Sequence, residues 1–193
     1  MLSPRIVPAE ARVPDRQELA EIYARDFAYV WRSVRRLGVP AGDRSDVTQD
    51  VFVMVFRKLW SFDRSRPFRP WLFGVLMRVV SDHRRLARHA REVIGPTPEV
   101  IDRARRPDEA AELAEEWRVI DEAFEALDVR HRAVLIMHDF EGHTARDIAS
   151  ALKIPIKTAF SRLAAARRHF TAHAARSWNR RSETTELLRG VAT

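Results

Sequence analysis

Between Gly142 and Phe170 the chain reads HTARDIASALKIPIKTAFSRLAAARRHF, and this stretch has the residue types and spacing for reading duplex DNA. Thr144 stands where a helix N-cap belongs, with Asp147 three residues on, the spacing at which hydroxyl and carboxylate satisfy each other's backbone amides. Ile148, Ala149 and Leu152 fall on one side of the short helix that follows. The turn Lys153-Ile154-Pro155 then leads into a longer helix expected to bury Ala159, Leu163, Ala166 and Phe170. A short helix, a brief turn and a longer basic helix is how a recognition helix is presented to a major groove. Opposite the buried set lie Lys157, Thr158, Phe160, Ser161, Ala164, Ala165 and Arg168. The first turns can meet base edges or thymine methyl groups, while Lys157, Arg162, Arg167 and Arg168 can reach phosphates. On spacing alone, a plain helical hairpin with a solvated basic face is the alternative.

Other chemistries find less support. His131, His138 and His143 are separated by seven and five residues, so no pair has the i, i+4 spacing of a helical metal site, and Asp139 or Glu141 would have to complete it. Asp82 and His83 are adjacent and point to different faces of a helix, a poor arrangement for acid and base. The absence of cysteine removes thiolate metal sites, iron–sulfur clusters, disulfides and cysteine nucleophiles, and makes the cytoplasm the expected compartment. There is no glycine-rich phosphate loop and no carboxylate cluster of the nuclease kind. The expectation is a protein with no catalytic residues, no metal and no cofactor of its own.

A recognition helix needs a frame, and the apolar pattern supplies helices along the whole chain. One begins at Asp15, with Glu18 at capping-box spacing, and carries Leu19, Ile22, Tyr23, Phe27, Val30, Trp31, Val34 and Leu37 until Gly38 and Pro40 stop it. A second runs from about residue 43 to Trp60, where Val47, Val51, Met54, Val55 and Leu59 form a stripe widened by Phe52, Phe56 and Trp60. A third opens near Pro70 with Trp71, Leu72, Val75, Leu76, Val79 and Val80 on one side and a basic far end. Prolines at 96, 98 and 107 then bracket a segment without periodicity, read as a linker over 93–107. Leu113, Trp117, Ile120, Phe124 and Leu127 mark a fourth helix, and Ala133, Val134, Met137 and Phe140 a fifth, closed by Gly142. The expected fold is all-α, with two small helical domains at 15–92 and 108–175, a disordered segment at 1–14 and a tail at 176–193 where Trp178 alone suggests packing.

Composition agrees. The 193 residues carry 34 basic and 27 acidic groups, a net charge of +7, and only Lys58, Lys153 and Lys157 among the basic ones are lysine. Arginine's planar fork suits phosphate. The charge is uneven: +7 over residues 1–92, −3 over 93–120, −1 over 121–166 and +4 over 167–193. The longest apolar run, Trp71 to Met77, is far short of the roughly 20 residues that span a bilayer, and the first residues lack an apolar signal core. No membrane insertion is expected.

Two longer runs carry a family resemblance. DRSDVTQDVFVMVFRKLWSFDRSRPFRPWLFGVLMRVVSDHRR resembles region 2 of the extracytoplasmic-function sigma factors, the compact class of bacterial transcription initiation subunits. EALDVRHRAVLIMHDFEGHTARDIASALKIPIKTAFSRLAAARRHF resembles their region 4, and the likeness covers about residues 15–92 and 121–170 in the family's order. It implies a subunit that binds core RNA polymerase, reads and melts the promoter −10 element with its first domain, and reads the −35 element with its second.

The resemblance also implies roles for residues. Asp46, Gln49, Asp50, Val53, Arg57 and Lys58 on the second helix would meet the clamp of the polymerase's largest subunit, with the second domain near the flap. Phe62 and Phe68 would line a pocket for a base flipped from the non-template strand while Arg64, Arg66 and Arg69 hold its backbone. Arg78, Asp82, Arg84, Arg85 and Arg88 would follow the −10 element. Lys157, Thr158, Phe160, Ser161, Arg162, Ala164, Arg167 and Arg168 would meet the −35 element. Many relatives place an amide where Arg78 stands and a basic residue where Phe160 stands, so the preferred bases do not carry over. Family membership further implies an anti-sigma factor as partner. The competing reading is a stand-alone helix-turn-helix regulator that binds operator DNA without the polymerase. An RNA-binding protein fits less well, for lack of a stacking sheet.

Overall fold

The computed structural model describes residues 15–94 and 111–191, so the segment 1–14 and nearly all of the linker expected at 93–107 lie outside the described residues. Among them every regular element is helical. Helix α1 (Arg16–Arg36) starts at Asp15, whose carboxylate accepts the Glu18 amide at 2.7 Å, and it ends where Gly38 turns left-handed at φ +78°. Helix α2 (Arg44–Lys58) lies between two single 3-10 turns, Ala41–Asp43 and Leu59–Ser61. Helix α3 (Phe68–Ile94) begins two residues before Pro70, which keeps the proline in the first turn where its missing N–H forfeits no hydrogen bond.

The second unit holds α4 (Ala111–Glu125), α5 (Val129–Leu135), α6 (Ala145–Leu152) and α7 (Ile156–Val191). The fifth helix expected to reach Phe140 is α5 plus a wider π turn, Ile136–Phe140, closed by Gly142 at φ +71°. The largest departure is α7, a single helix of 36 residues that runs on through 176–191, where the sequence suggested a separate tail.

Helices α1, α2 and α3 pack on one another, and α4, α5 and α6 each lie against α7. Tyr29, Val30, Val34, Val51, Leu72, Leu76 and Val80 fill the first unit, and Phe124, Leu135, Ile136, Met137, Ile148 and Ala166 the second. Each large side chain buried in this way contributes roughly 1.5–3 kcal/mol relative to exposure. One cluster of buried residues runs through both units, and α3 lies directly against α6. Phe73 and Gly74, which stand off the stripe read from the sequence, are buried as well, so α3 buries more of its circumference than one face.

The start of α6 is the capping box that the sequence implied. Thr144 Oγ1 accepts the Asp147 amide at 3.2 Å and Asp147 Oδ2 accepts the Thr144 amide at 3.2 Å. Replacing Thr144 with Ala is expected to lower stability by about 1 kcal/mol in urea unfolding, and Thr144→Ser to retain most of it.

Candidate nucleic-acid interface

On α2 the buried side is Val47, Thr48, Val51, Phe52 and Val55. Helical spacing therefore turns Asp46, Gln49, Asp50, Val53 and Arg57 outward together; all five are exposed and Lys58 is half-buried beside them. Val53 is 40% exposed, an apolar side chain in the middle of a polar stripe. Next to it α1 shows a ladder of aromatic rings, Tyr23, Phe27 and Trp31, with Phe27 and Trp31 stacked at 6.1 Å.

The loop that joins α2 to α3 is built around three rings. Phe62, Phe68 and Trp71 lie within 5.1–5.5 Å of one another by centroid, and Arg25 covers Phe68 at 5.1 Å. Both phenylalanines are half-buried against the core, so part of each ring is committed to packing. The loop arginines are engaged within the chain. Arg64 binds Glu18 at 2.6 Å, Arg66 pairs with Asp63 at 3.2 Å and donates to Ser150 at 3.0 Å, and Arg69 stands 3.6 Å from the buried Asp26 while covering the Tyr29 ring. Burial pushes the Tyr29 hydroxyl up, and Ser65 and Arg66 hold the Asp63 carboxyl down.

Along α3, Arg78 and Arg88 are exposed and Arg84 half-buried, and none has a carboxylate partner among the described residues; Asp82 pairs with Arg85 at 3.2 Å. On α7, Phe160 is 57% exposed on the first turns, an aromatic ring offered to solvent beside exposed Lys157, Ser161, Ala164 and Arg168, with Thr158 and Arg162 half-buried. Ser161 donates its hydroxyl to the Thr158 carbonyl at 3.1 Å. Arg167 differs from its neighbours. Its guanidinium is bound by Asp139, with Nε to Oδ2 at 2.9 Å, and also contacts His138, so it braces α7 against the π turn.

The two basic regions meet. Arg78 and Asp82 of α3, Arg130 of α5, Lys153 of the turn and Arg162 of α7 line one cleft of about 540 Å³ between the units. Three residues of this surface escape a reading from the sequence. Arg130 is hidden because nothing in the sequence brings α5 to α3. Lys153 takes a left-handed φ of +54°, a conformation that usually announces itself as glycine. Ile156, 43% exposed at the start of α7, looks like core in sequence. Among the described residues no group of histidines and carboxylates is gathered to hold a metal ion. His131 pairs with Asp128 and His138 with Asp139.

Comparison with known proteins agrees with this arrangement. The family model for Sigma-70 region 2 matches residues 22–90 and that for Sigma-70 region 4 matches 117–170. The chain is similar to the ECF RNA polymerase sigma factor SigL of Mycobacterium tuberculosis, with 31% identity over 143 residues, 74% of this chain and 80% of the relative. The chain belongs to the extracytoplasmic-function sigma factors. It is also similar to the RNA polymerase sigma factor NccH of Alcaligenes xylosoxydans xylosoxydans, 29% identical over 82% of this chain and 87% of the relative. The solved structure of CnrH in complex with the cytosolic domain of CnrY matches with a TM-score of 0.60 at 27% identity, covering 87% of this chain and 94% of that one. The sigma factor RpoE from Bartonella quintana, solved with the anti-sigma factor NepR, shares the fold with a TM-score of 0.66 at 20% identity over 81% of this chain and 96% of that one.

As a sigma factor the protein works with core RNA polymerase in promoter recognition and transcription initiation. No helix among the described residues is long and apolar enough to cross a membrane. In the sigma factor's second unit, the Arg167 hydrogen bond holds the Asp139 carboxyl below its usual range, aided by His138 and against the opposing effect of partial burial. A depressed native pKa contributes stability above the ordinary carboxylate value of about 4 and loses it as pH falls through the native value. Asp139→Asn is therefore expected to lower stability at pH 7 by about 0.5–1 kcal/mol, with the gap to wild type closing in urea curves between about pH 4 and pH 2.

Proposed function

We propose that the sigma factor divides promoter reading between its two units, with α2 docked on the clamp of the polymerase's largest subunit. The loop 62–70 and α3 take the −10 element, and the first turns of α7 take the −35 element. The observation that carries this reading is the contrast among the arginines. Arg78, Arg84 and Arg88 on α3, and Lys157, Arg162 and Arg168 on α7, have no carboxylate partner among the described residues, whereas the loop arginines and Arg167 do. Unpaired cations along a helix are available to phosphate, and paired ones are available only after an exchange of partners. In the loop, Phe62 and Phe68 offer rings to an unstacked base and Arg64, Arg66 and Arg69 pass from chain carboxylates to backbone phosphates as the strand arrives.

On α7, Phe160 supports contact with a thymine methyl, and Ser161 and Thr158 stand close enough to share the same base pairs. The reading leaves catalysis wholly to the polymerase and places the protein in the cytoplasm. Its partners are core polymerase through the clamp and flap, promoter DNA, and an anti-sigma factor, as CnrH is seen with the cytosolic domain of CnrY. A stand-alone operator-binding regulator has no use for the outward α2 stripe or the aromatic loop, which is why that reading ranks second.

Run-off transcription with purified core polymerase and genomic fragments tests the reading and yields the promoter. Promoter-specific transcripts are expected, and tight operator binding without any transcript would favour the regulator. The double replacement Asp50→Ala with Arg57→Ala is expected to weaken binding to core polymerase about tenfold, or 1.4 kcal/mol, with an unchanged melting curve. Phe160→Ala is expected to change which promoters are chosen, whereas Arg168→Ala should weaken all of them by a similar factor in the same assay.

A further inference from the structure

The turn between α6 and α7 is closed by a residue that its backbone does not favour. The Ile154 amide donates to the Ala149 carbonyl at 3.0 Å and the Lys153 amide to the Ser150 carbonyl at 3.4 Å, a pair of bonds that puts residue 153 in the left-handed region, at φ +54° and ψ +49°. Glycine takes that conformation without a steric penalty, and lysine does not. The lysine side chain recovers nothing from the rest of the protein. It is exposed, it has no carboxylate partner among the described residues, and it lines a cleft with Arg78, Arg130 and Arg162 whose single carboxylate, Asp82, is held by Arg85. A strained residue that also joins a crowd of like charges lowers stability twice over, and strain of this kind gathers at functional sites. We propose that Lys153, with Arg130 beside it, is a phosphate-binding site for the promoter backbone, flanking the helix that reads the −35 element. The inference rests on the role given to α7 under the proposed function.

Position on the helix separates this site from the base-reading edge. An α-helix about 10–12 Å across fills a major groove about 12 Å wide, so its outward edge meets bases and its flanks meet the phosphate walls. On α7, Lys157, Ser161, Ala164 and Arg168 are exposed along the outward edge, whereas Thr158 and Arg162, four residues apart, are half-buried together on one flank. Arg162 on that flank borders the same cleft as Lys153 and Arg130. The turn, the start of α5 and one flank of α7 therefore bring three cations to one place. Arg130 is the second residue of α5, and the N-cap Asp128 accepts its amide at 2.8 Å, so its backbone is fixed while its exposed guanidinium has no carboxylate partner among the described residues. Cations on such a frame meet phosphate without first giving up a partner. Because the phosphate is the same at every base pair, they add affinity and no sequence preference.

Glycine at position 153 sets stability against binding. Lys153→Gly is expected to raise the urea midpoint of the free sigma factor, because it relieves both the strain and the crowding of charge. In holoenzyme reconstituted with core polymerase, the same change is expected to weaken binding to every promoter alike, about fivefold at about 0.15 M salt. The slope of log affinity against log salt should become shallower by about 0.9, the value for one phosphate contact. Lys153→Asn, neutral and also tolerant of the left-handed region, is expected to lose the same affinity, and Lys153→Arg to keep it. Arg130→Ala should reduce the slope by a similar amount, and the double variant Lys153→Gly with Arg130→Ala by about twice as much. The proposal is overturned by a glycine variant no more stable than wild type, by glycine and asparagine variants that keep the wild-type affinity and slope, or by Lys153→Arg losing as much as Lys153→Asn. A double variant with the slope of Lys153→Gly alone removes Arg130 from the site. Phe160→Ala checks the role of α7 separately: if promoter choice stays the same the −35 assignment fails, whereas an altered choice with an unchanged slope at Lys153 removes this site alone.

Discussion

A buried guanidinium sets the geometry at the joint of the two units. Arg132 of α5 donates from Nε to the Leu127 carbonyl at 2.8 Å and from Nη2 to the Glu125 carbonyl at 2.9 Å, which satisfies acceptors that the end of α4 would otherwise leave unpaired. Its third nitrogen lies where a side chain on residue 38 would be, 1.9 Å from the Cβ position, so the left-handed glycine that ends α1 also makes the space this group needs. Burial, with the nearby Arg84, pushes its pKa down to about 10, which leaves it charged at neutral pH. The ends of α1 and α4 and the start of α5 are thus gathered on one group.

The distribution of the other cations divides scaffold from surface. Four of the arginine–carboxylate pairs, Arg69 with Asp26, Arg64 with Glu18, Arg167 with Asp139 and Arg35 with Asp121, hold a loop or join two elements. Where no carboxylate is within reach among the described residues, as at Arg78, Arg84 and Arg88 of α3 and on the first turns of α7, the charge is left to the solvent and to whatever anion arrives. A surface pair contributes at most about 1 kcal/mol to folding, so the unpaired residues sacrifice little stability by standing free, while each can release a counterion on meeting phosphate.

Much of this was legible in sequence. The capping box at Thr144, the buried set Ala159, Leu163 and Ala166, and the buried stripe Val47, Val51 and Val55 on α2 follow from local spacing, because a helix repeats every 3.6 residues whatever lies around it. What was not legible depends on which helix meets which. Phe73 and Gly74 look like interruptions of an apolar stripe until α6 lies against them, and Arg130 looks like a solvated charge until α5 is brought to α3. The engagement of Arg167 with Asp139 spans 28 residues and two helix ends, so no periodicity announces it. The continuation of α7 past residue 175 is similar: the 176–191 stretch carries no regular apolar stripe, and helix formation there extends a nucleus already made by the packed turns before it.

Lys153 ties these strands together. A non-glycine residue in the left-handed region costs of order 1 kcal/mol, and glycine at the α6–α7 turn would relieve it. The turn nevertheless carries a lysine, whose charge faces the cleft shared with Arg78, Arg130 and Arg162. Strain in the backbone and crowding of cations both act at the same place, and both raise the energy of the arrangement in which α6 lies on α3. Against them stand the close approach at Gly74, a few ion pairs and a shared apolar cluster, in which each large buried side chain outweighs the strain of the turn.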